Sequence, residues 1–182
     1  MDGERILIVG MSGGGKSTLI KQFLIEKADD YDYIFIADTQ GDFLPYVHLN
    51  KKIHVMQVNR HNFDDLHKRM QTILTKAENY YTEHLESEKR VLIIVDEVDK
   101  YKKIPKIKEL IYSIQNWGRK FDVSSIAGAR SPFHMEKSLV RGANEFWVFN
   151  IIDKAEIDEF YFKKDFNIIR RLKPGEYIIY KR

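Results

Sequence analysis

The segment Gly10–Ser17, which contains four glycines and ends in Gly-Lys-Ser, most limits what this chain can fold into. It follows the apolar run Ile6–Val9, which predicts a buried strand, and it precedes Thr18–Lys27, where apolar residues recur at helical spacing. Glycines in a turn between a strand and a helix allow successive backbone N–H groups to point inward, and the helix adds its positive end. The segment therefore predicts a strand–loop–helix unit whose loop binds phosphate.

Individual residues of this loop have separate expected roles. Lys16 can neutralise the β- and γ-phosphates of a nucleoside triphosphate, and the Ser17 hydroxyl can ligate Mg²⁺. The alternative is a glycine-rich turn that happens to carry a surface lysine; the strand before the loop and the helix after it favour the nucleotide site. The residues expected to contact the nucleotide are Gly10, Ser12, Gly13, Gly14, Gly15, Lys16, Ser17 and Thr18.

Two carboxylates follow a second apolar strand. Val91–Val95 is uninterrupted and β-branched, which indicates a strand covered on both faces, and Asp96 and Glu97 come directly after it. Ligands of open parallel sheets sit at the carboxyl ends of strands, so these acids should lie beside the phosphate loop. We expect Asp96 to hold Mg²⁺ through its water shell and Glu97 to polarise the attacking water. The alternative is an acidic turn after a core strand.

The remaining periodicity predicts an α/β fold with a mainly parallel central sheet flanked by helices. The further predicted strands are Tyr33–Ala37, His54–Val58, Val123–Ala127, Glu145–Ile151 and Tyr177–Tyr180. Further helices are predicted from Phe63 to about Leu85, from Pro105 to a stop at Gly118, and from a capping box at Asp153 and Glu156 to about Phe162.

The composition excludes cysteine-based sites and argues against a membrane-spanning segment. The chain has 182 residues, 30 Lys+Arg against 27 Asp+Glu, and no cysteine, which excludes disulfides, thiolate metal sites and thiol nucleophiles. Its length fits one domain over residues 1–182. The longest clean apolar run has five residues, far short of the roughly 20 that cross a bilayer. We therefore expect a cytoplasmic protein with no transmembrane segment.

Several motifs together resemble those of a known family. The chain is similar to the FtsK–HerA superfamily of DNA-pumping ATPases, and most similar to the small genome-packaging ATPases of membrane-containing and archaeal viruses. The motifs that carry the resemblance are the Asp96-Glu97 pair, Trp117–Lys120, Val123–Ala127 with Gly128–Pro132, Ile36–Asp42, Phe146–Asn150 and Leu172–Tyr177.

The resemblance implies a RecA-like (ASCE) P-loop NTPase with an extra strand between the phosphate-loop strand and the Asp-Glu strand. It implies ATP and Mg²⁺ at subunit interfaces, a homo-oligomeric ring that is usually a hexamer, and double-stranded DNA in the pore. Arg119 falls where relatives place an arginine that reaches the neighbour's γ-phosphate; the alternative is a surface arginine after a helix. Arg130 stands where relatives usually carry a glutamine that senses the γ-phosphate. The expected catalytic residues are Lys16, Glu97, Arg119 and Arg130.

A lysine cluster follows the Asp-Glu strand, where relatives present pore loops. Lys100, Lys102, Lys103 and Lys106 are the expected DNA contacts, and Lys108 extends the cluster to five lysines in nine residues. Lysine on backbone phosphate gives binding that is independent of sequence and sensitive to salt. A solvated helix face is the alternative. A second cluster, at Arg170, Arg171 and Lys173, could likewise contact DNA phosphate or be a solvated surface.

The resulting hypothesis is an ATP-driven DNA translocase that packages a viral genome, in the host cytoplasm or on the virion, with a capsid or membrane protein as anchor. One alternative is a small nucleoside kinase of the thymidine-kinase type, although that family normally has a cysteine zinc cluster, and this chain has no cysteine. Another is a nucleotide-dependent assembly switch that hydrolyses slowly and moves nothing.

Overall fold

The apolar runs of the sequence form the strands of one sheet. The structure, a computed structural model, describes residues 4–59, 61–84, 90–101, 103–131, 135, 137–158 and 160–182. The strands are β1 (Arg5–Val9), β2 (Tyr33–Asp38), β3 (Ile53–Gln57), β4 (Val91–Val95), β5 (Val123–Ala129), β6 (Glu145–Val148) and β7 (Ile178–Lys181). The helices are α1 (Lys16–Lys27), α2 (Phe63–His84), α3 (Pro105–Trp117), α4 (Lys137–Gly142) and α5 (Phe166–Ile169).

In the described part of the chain, the seven strands pair in the order β3-β2-β4-β5-β1-β6-β7. All neighbours are parallel except β6 and β7, which are antiparallel. Successive side chains of a strand point to opposite faces, so each central strand supplies both layers. Leu7 and Val9 pack in the layer that contains α2 and α3, whereas Ile6 and Ile8 pack in the layer that contains α1. This arrangement confirms the predicted α/β, RecA-like P-loop fold.

Strand β5 lies between the strand of the phosphate loop and the strand of the acid pair. Val9 of β1 is in register with Ala129 of β5, and Ala127 of β5 is in register with Val95 of β4. The carboxyl ends of β1 and β4 are therefore separated by two strand spacings, about 10 Å. The sheet has the extra strand that the family resemblance implies, and it brings the loop and the acids to one edge.

The predicted helix from Asp153 to Phe162 is wrong. Short 3₁₀ turns, Lys154–Glu156 and Tyr161–Asp165, occupy this region, and α5 follows them. The cap itself forms, because the Asp153 carboxylate accepts a hydrogen bond from the Ala155 backbone N–H (2.9 Å).

Packing on β6 explains why the cap does not lead into an α-helix. The rings of Phe160 and Phe162 both pack on Phe146, with centroid distances of 6.2 and 5.8 Å. Residues two apart lie on opposite sides of an α-helix, so a helix could not place both rings on one partner. Burial of these aromatic rings therefore outweighs the local helix signal.

Candidate nucleotide site

The phosphate loop leaves β1 through a backbone position that only glycine fits. Gly10 has φ +151°, and a Cβ there would lie 2.5 Å from the Cβ of Phe149. Its backbone N–H donates to the Ala129 carbonyl (3.3 Å), which ties the start of the loop to β5. Gly15 caps α1 with φ +108°, another left-handed position. The loop is thus curled between β1 and α1 in the way that its glycines predict.

Lys16 is folded into the loop that it follows. Only 7% of the residue is exposed, and its ammonium donates to the carbonyl oxygens of Gly10 (2.6 Å) and Met11 (2.9 Å). Burial lowers the pKa of Lys16, while the carboxylates of Asp96 and Glu97 oppose this shift. The carbonyls hold the ammonium inside the loop, where it is positioned to meet phosphate oxygens.

The C-terminal region closes over the loop, and sequence reasoning missed this contact. The Gly175 backbone N–H donates to the Gly14 carbonyl (3.0 Å), and the Tyr177 ring lies 5.3 Å from the Phe149 ring. The Met11 N–H in turn donates to the Asn150 carbonyl (3.1 Å). The Asn150 side-chain amide donates to the carbonyls of Arg170 (3.1 Å) and Leu172 (2.8 Å), so the cluster Arg170, Arg171 and Lys173 lies next to a residue that contacts the phosphate loop.

Asp96 is a buried carboxylate with an unmet bonding requirement. The residue is 2% exposed, and its Oδ2 has no hydrogen-bond partner among the described residues. Burial raises the pKa of Asp96 to about 6, and the negative charges of Glu97, Asp38 and Asp42 add to the rise. A buried carboxylate without a partner is costly, and a nearby cation relieves that cost. Asp96 therefore fits the expected role of holding Mg²⁺ through the water molecules bound to the ion.

A metal ion at this site would be coordinated partly by protein groups and partly by the phosphates of the nucleotide. Within the described ranges, no group of three or more His, Asp or Glu side chains is arranged to hold a metal ion. Mg²⁺ is commonly bound by one or two protein groups together with substrate phosphates and water. Ser17, in the first turn of α1, and Asp96 are the residues that would hold such an ion.

Glu97 is held by side chains from three other parts of the chain. Its Oε1 accepts from the Arg130 guanidinium, and its Oε2 accepts from the Lys100 ammonium, the Thr39 hydroxyl (2.8 Å) and the Gln40 side-chain amide (2.7 Å). We call these four donors the Glu97 clamp. The Glu97 backbone has φ +53°, a left-handed conformation that is strained for a non-glycine residue.

The Glu97 clamp determines the charge state of the glutamate. Burial alone would raise the pKa of Glu97, but the hydrogen bonds from Lys100, Thr39, Gln40 and Arg130 outweigh burial and lower the pKa to about 2. Glu97 therefore stays ionised, and it is a weak base while the donors of the Glu97 clamp are bound to it.

Asp38 fixes the loop that carries two of these donors. The Asp38 residue is fully buried, and its carboxylate accepts from the backbone N–H groups of Gln40 (3.0 Å), Gly41 (2.8 Å) and Phe43 (2.8 Å). Hydrogen bonds to a charged acceptor are stronger than neutral ones. They turn the chain after β2 so that Thr39 and Gln40 reach Glu97. Sequence reasoning noted this acidic segment only as part of the family resemblance.

The predicted site residues divide into two groups. Lys16, Asp96, Glu97 and Arg130 lie at one edge of the sheet, near enough for Lys16 to feel the charges of the other three. Arg119 lies elsewhere: it is in the 3₁₀ turn Gly118–Phe121, before β5 begins, and its side chain is outside the described part of the structure.

The length of β5 separates Arg119 from the phosphate loop of its own chain. Seven residues of β5 span about 20 Å at about 3.3 Å per residue. Arg119 is thus on the opposite edge of the sheet from Gly10 and Lys16.

The predicted DNA contacts differ in their surroundings. The side chain of Lys100 is 38% exposed and bound to Glu97, whereas Lys106 is 70% exposed and lies 3.8 Å from Asp64. Lys103 is exposed, and Lys102 lies outside the described residues. The cluster thus includes one lysine that belongs to the candidate nucleotide site.

Comparison with known structures agrees with this fold. The structure of ATPases 2 and 3 of EssC from Geobacillus thermodenitrificans matches 99% of this chain and 38% of its own length, with TM-score 0.77 and 20% identity. The conjugation coupling protein TcpA of pCW3 matches 99% of this chain and 58% of its own, with TM-score 0.79 and 12% identity. The chain thus spans well under two thirds of these larger proteins.

The genome-packaging NTPase B204 from Sulfolobus turreted icosahedral virus 2, in complex with AMPPCP, is matched over more of its length. This chain is covered completely and B204 over 93%, with TM-score 0.74 and 18% identity. The expected resemblance to FtsK–HerA-type ATPases is confirmed at the level of the fold.

The comparison with curated proteins found no match. In the described ranges, no helix is both long enough and apolar enough to cross a membrane.

One family model matches the sequence itself. It is described as an ATPase domain predominantly from Archaea, and it covers residues 2–121, which include the phosphate loop, Asp96 and Glu97. With the P-loop fold and the candidate nucleotide site already described, this match shows that the chain belongs to the ATPase_2 family of ATPase domains.

Proposed function

We propose that the protein hydrolyses ATP with Mg²⁺ and uses the free energy to move double-stranded DNA during packaging of a viral genome. The observation that carries the proposal is the position of Asp96 and Glu97 at the end of β4, with only β5 between β4 and the strand that leads into the phosphate loop. A buried carboxylate for the metal and a second carboxylate for water are what hydrolysis at a phosphate loop requires. The acid pair therefore favours transfer to water over transfer to a substrate alcohol.

Each residue of the candidate site has a separate role in the proposed hydrolysis. Lys16 and the loop N–H groups would hold the phosphates, and Ser17 and Asp96 would hold Mg²⁺, which would supply positive charge to neutralise the phosphates. Glu97 accepts a proton from water as the water oxygen bonds to the γ-phosphorus and the bond from that phosphorus to the leaving oxygen of ADP breaks. In this structure all four donors of the Glu97 clamp contact Glu97, so at least one of them must move away before Glu97 can act as a base.

Similarity to B204 supports packaging as the use of this hydrolysis. B204, a genome-packaging NTPase, is matched over 93% of its length, whereas EssC and TcpA contain much more chain than this fold. A motor that packages a viral genome would act in the host cytoplasm or on the virion, with a capsid or membrane protein as its anchor.

The position of Arg119 supports a ring in which neighbouring copies complete each site. Because Arg119 lies about 20 Å along the sheet from its own phosphate loop, it could reach a γ-phosphate only in another copy. Planar guanidinium groups suit the charge of a transferring phosphoryl group, and such arginines raise rates by about 10³–10⁵. We therefore propose a homo-oligomeric ring, a hexamer by family resemblance.

Mixing subunits tests the ring. Inactive Arg119→Ala subunits added to the wild-type protein should lower ATP hydrolysis more steeply than their fraction, because each one also disables its neighbour's site. A matched control is Lys120→Ala, one residue along the same turn. A loss in linear proportion to the Arg119→Ala fraction would contradict an arginine acting between subunits.

The exposed lysines after β4 are the proposed DNA surface. Lys103 and Lys106 are exposed and lie on the segment between Glu97 and the first turn of α3. Changing both to glutamine should raise the DNA concentration that gives half-maximal stimulation and reduce its salt dependence. An unchanged salt dependence would return these lysines to the solvated-surface alternative.

Stimulation by DNA is the direct test of the function. The rate of ATP hydrolysis should rise when linear duplex DNA is added, and the rise should shrink as salt is increased. Protein concentration should be varied in the same experiment, because a ring with shared sites gains specific activity as it assembles. Hydrolysis that duplex DNA leaves unchanged would contradict a DNA motor and favour the assembly switch.

A further inference from the structure

In this structure, both oxygens of Glu97 are occupied. Oε1 receives two N–H groups of Arg130, and Oε2 receives Lys100, Thr39 and Gln40, all within the described residues. A carboxylate offers about four acceptor positions, so these five contacts leave no position for a water molecule. At least one donor must leave before Glu97 can accept a proton from water.

Arg130 is the donor whose backbone lies next to the phosphate loop, because the carbonyl of the preceding Ala129 accepts the Gly10 backbone N–H (3.3 Å). It is the first residue after β5, the strand between the phosphate loop and the acid pair. Its positive charge is near enough to Lys16 to contribute to the lowered pKa of that lysine. A phosphate held by Lys16 would therefore present negative charge to the Arg130 guanidinium as well.

The Arg130 side chain can turn while its backbone stays in place. Its backbone N–H donates to Oδ1 of Asp99 (3.2 Å), whereas its side chain is 45% exposed. Guanidinium groups bind carboxylates and phosphates with the same paired geometry, so either group can be the partner. An uncharged glutamine at position 130 would not compete for phosphate in this way.

We propose that Arg130 changes partner when the triphosphate binds: its guanidinium leaves Glu97 for the γ-phosphate, and the freed Oε1 of Glu97 then accepts the attacking water. This inference rests on the proposed ATP hydrolysis, whose regulation it describes. ADP has no γ-phosphate, so Arg130 stays on Glu97 when ADP is bound. The arginine thus makes release of the base depend on an intact triphosphate.

Nucleotide binding measured by calorimetry tests this exchange without hydrolysis or DNA. The dissociation constants of AMPPCP and ADP, each with Mg²⁺, are measured for the wild type, Glu97→Gln, Arg130→Gln and the double variant. Glu97→Gln removes the charged competitor for Arg130 and should tighten AMPPCP binding about 10-fold while changing ADP binding less than about 2-fold. In the Arg130→Gln background, the same change at Glu97 should alter AMPPCP binding less than about 2-fold.

Asp99→Asn is the matched control. It also removes one negative charge near Lys16, but the Asp99 carboxylate contacts the backbone of Arg130 rather than the guanidinium. Asp99→Asn should change the dissociation constant of AMPPCP by the same factor whether position 130 is Arg or Gln, because it changes only the total charge near Lys16. Thermal unfolding of every variant checks that each is folded before binding is compared.

The possible failures are distinguishable. If the wild type binds AMPPCP but Glu97→Gln tightens it equally in both backgrounds, or tightens ADP as much as AMPPCP, the partner exchange is overturned and the proposed hydrolysis stands. If the wild type binds neither nucleotide, the proposed hydrolysis and the exchange are both overturned.

Discussion

The two sides of the candidate nucleotide site are built in different ways. The phosphate-loop side comes from one segment, Gly10–Ser17, and its ligands are backbone N–H groups and one lysine held by two carbonyls. The acidic side brings together Glu97 and the Glu97 clamp, which come from the ends of β2, β4 and β5. Substrate competes with internal ion pairs on the acidic side only.

This difference separates binding from hydrolysis. Under the proposed exchange, ADP can enter the loop without breaking a charged contact of Glu97, so ADP binding depends mainly on the loop and its lysine. Hydrolysis requires the acidic side to rearrange, because Glu97 is fully occupied by its donors. Variants on the loop side should therefore change the affinity for every nucleotide, whereas variants on the acidic side should spare ADP binding. The following predictions test that separation, beginning with the largest effect.

Lys16→Ala should remove nucleotide binding. Two charge-assisted hydrogen bonds to phosphate are lost, so the affinity for AMPPCP should fall by about 1,000-fold, measured by calorimetry. Lys27→Ala, on the last turn of the same helix, is the control and should bind normally. Normal binding by Lys16→Ala would contradict the importance given to the loop side.

Asp38→Ala should destabilise the fold through the acidic side. Three backbone N–H groups lose their charged acceptor, and the free energy of unfolding in urea should fall by about 3 kcal/mol. Asp42→Ala is the matched control: its carboxylate is 45% exposed and 3.6 Å from Lys21, so the cost should be less than about 0.5 kcal/mol. Equal losses for the two variants would show that Asp38 does not fix the loop.

Lys100→Met should raise hydrolysis slightly by loosening the Glu97 clamp. The ion pair is partly exposed and worth up to about 1 kcal/mol, so the rate without DNA should increase about three-fold. Lys51→Met, at an exposed position beside β3, is the control and should leave the rate unchanged. A lower rate in Lys100→Met would mean that Lys100 supports the active position of Glu97 rather than restraining it.

Sequence alone predicted the parts of the molecule that local pattern determines. The glycine positions, the β-branched run of β4 and the helical spacing in α2 and α3 each depend on neighbouring residues, and the structure forms these elements close to their predicted bounds. The family resemblance, rather than local pattern, implied the extra strand between the phosphate-loop strand and the Asp-Glu strand. The short helix α4 has only six residues and was not predicted, because so short a segment has no clear periodicity.

Contacts between distant segments were not predictable in the same way. Thr39 and Gln40 are 58 and 57 residues from Glu97 in sequence, and no local pattern links these positions. The wrong helix at residues 153–162 has the same origin, since its aromatic residues are placed by packing on β6. The Glu97 clamp could not be predicted from local pattern, because its donors become neighbours only through the order of β2, β4 and β5 in the sheet.

The central claim is that the loop side binds ATP and that Glu97 on the acidic side hydrolyses it. Its most direct test is to measure AMPPCP binding and ATP turnover on the same preparation of Glu97→Gln. We predict binding at least as tight as in the wild type, with turnover reduced by about 100-fold or more because the general base is lost. Turnover at the wild-type rate in Glu97→Gln would contradict the claim.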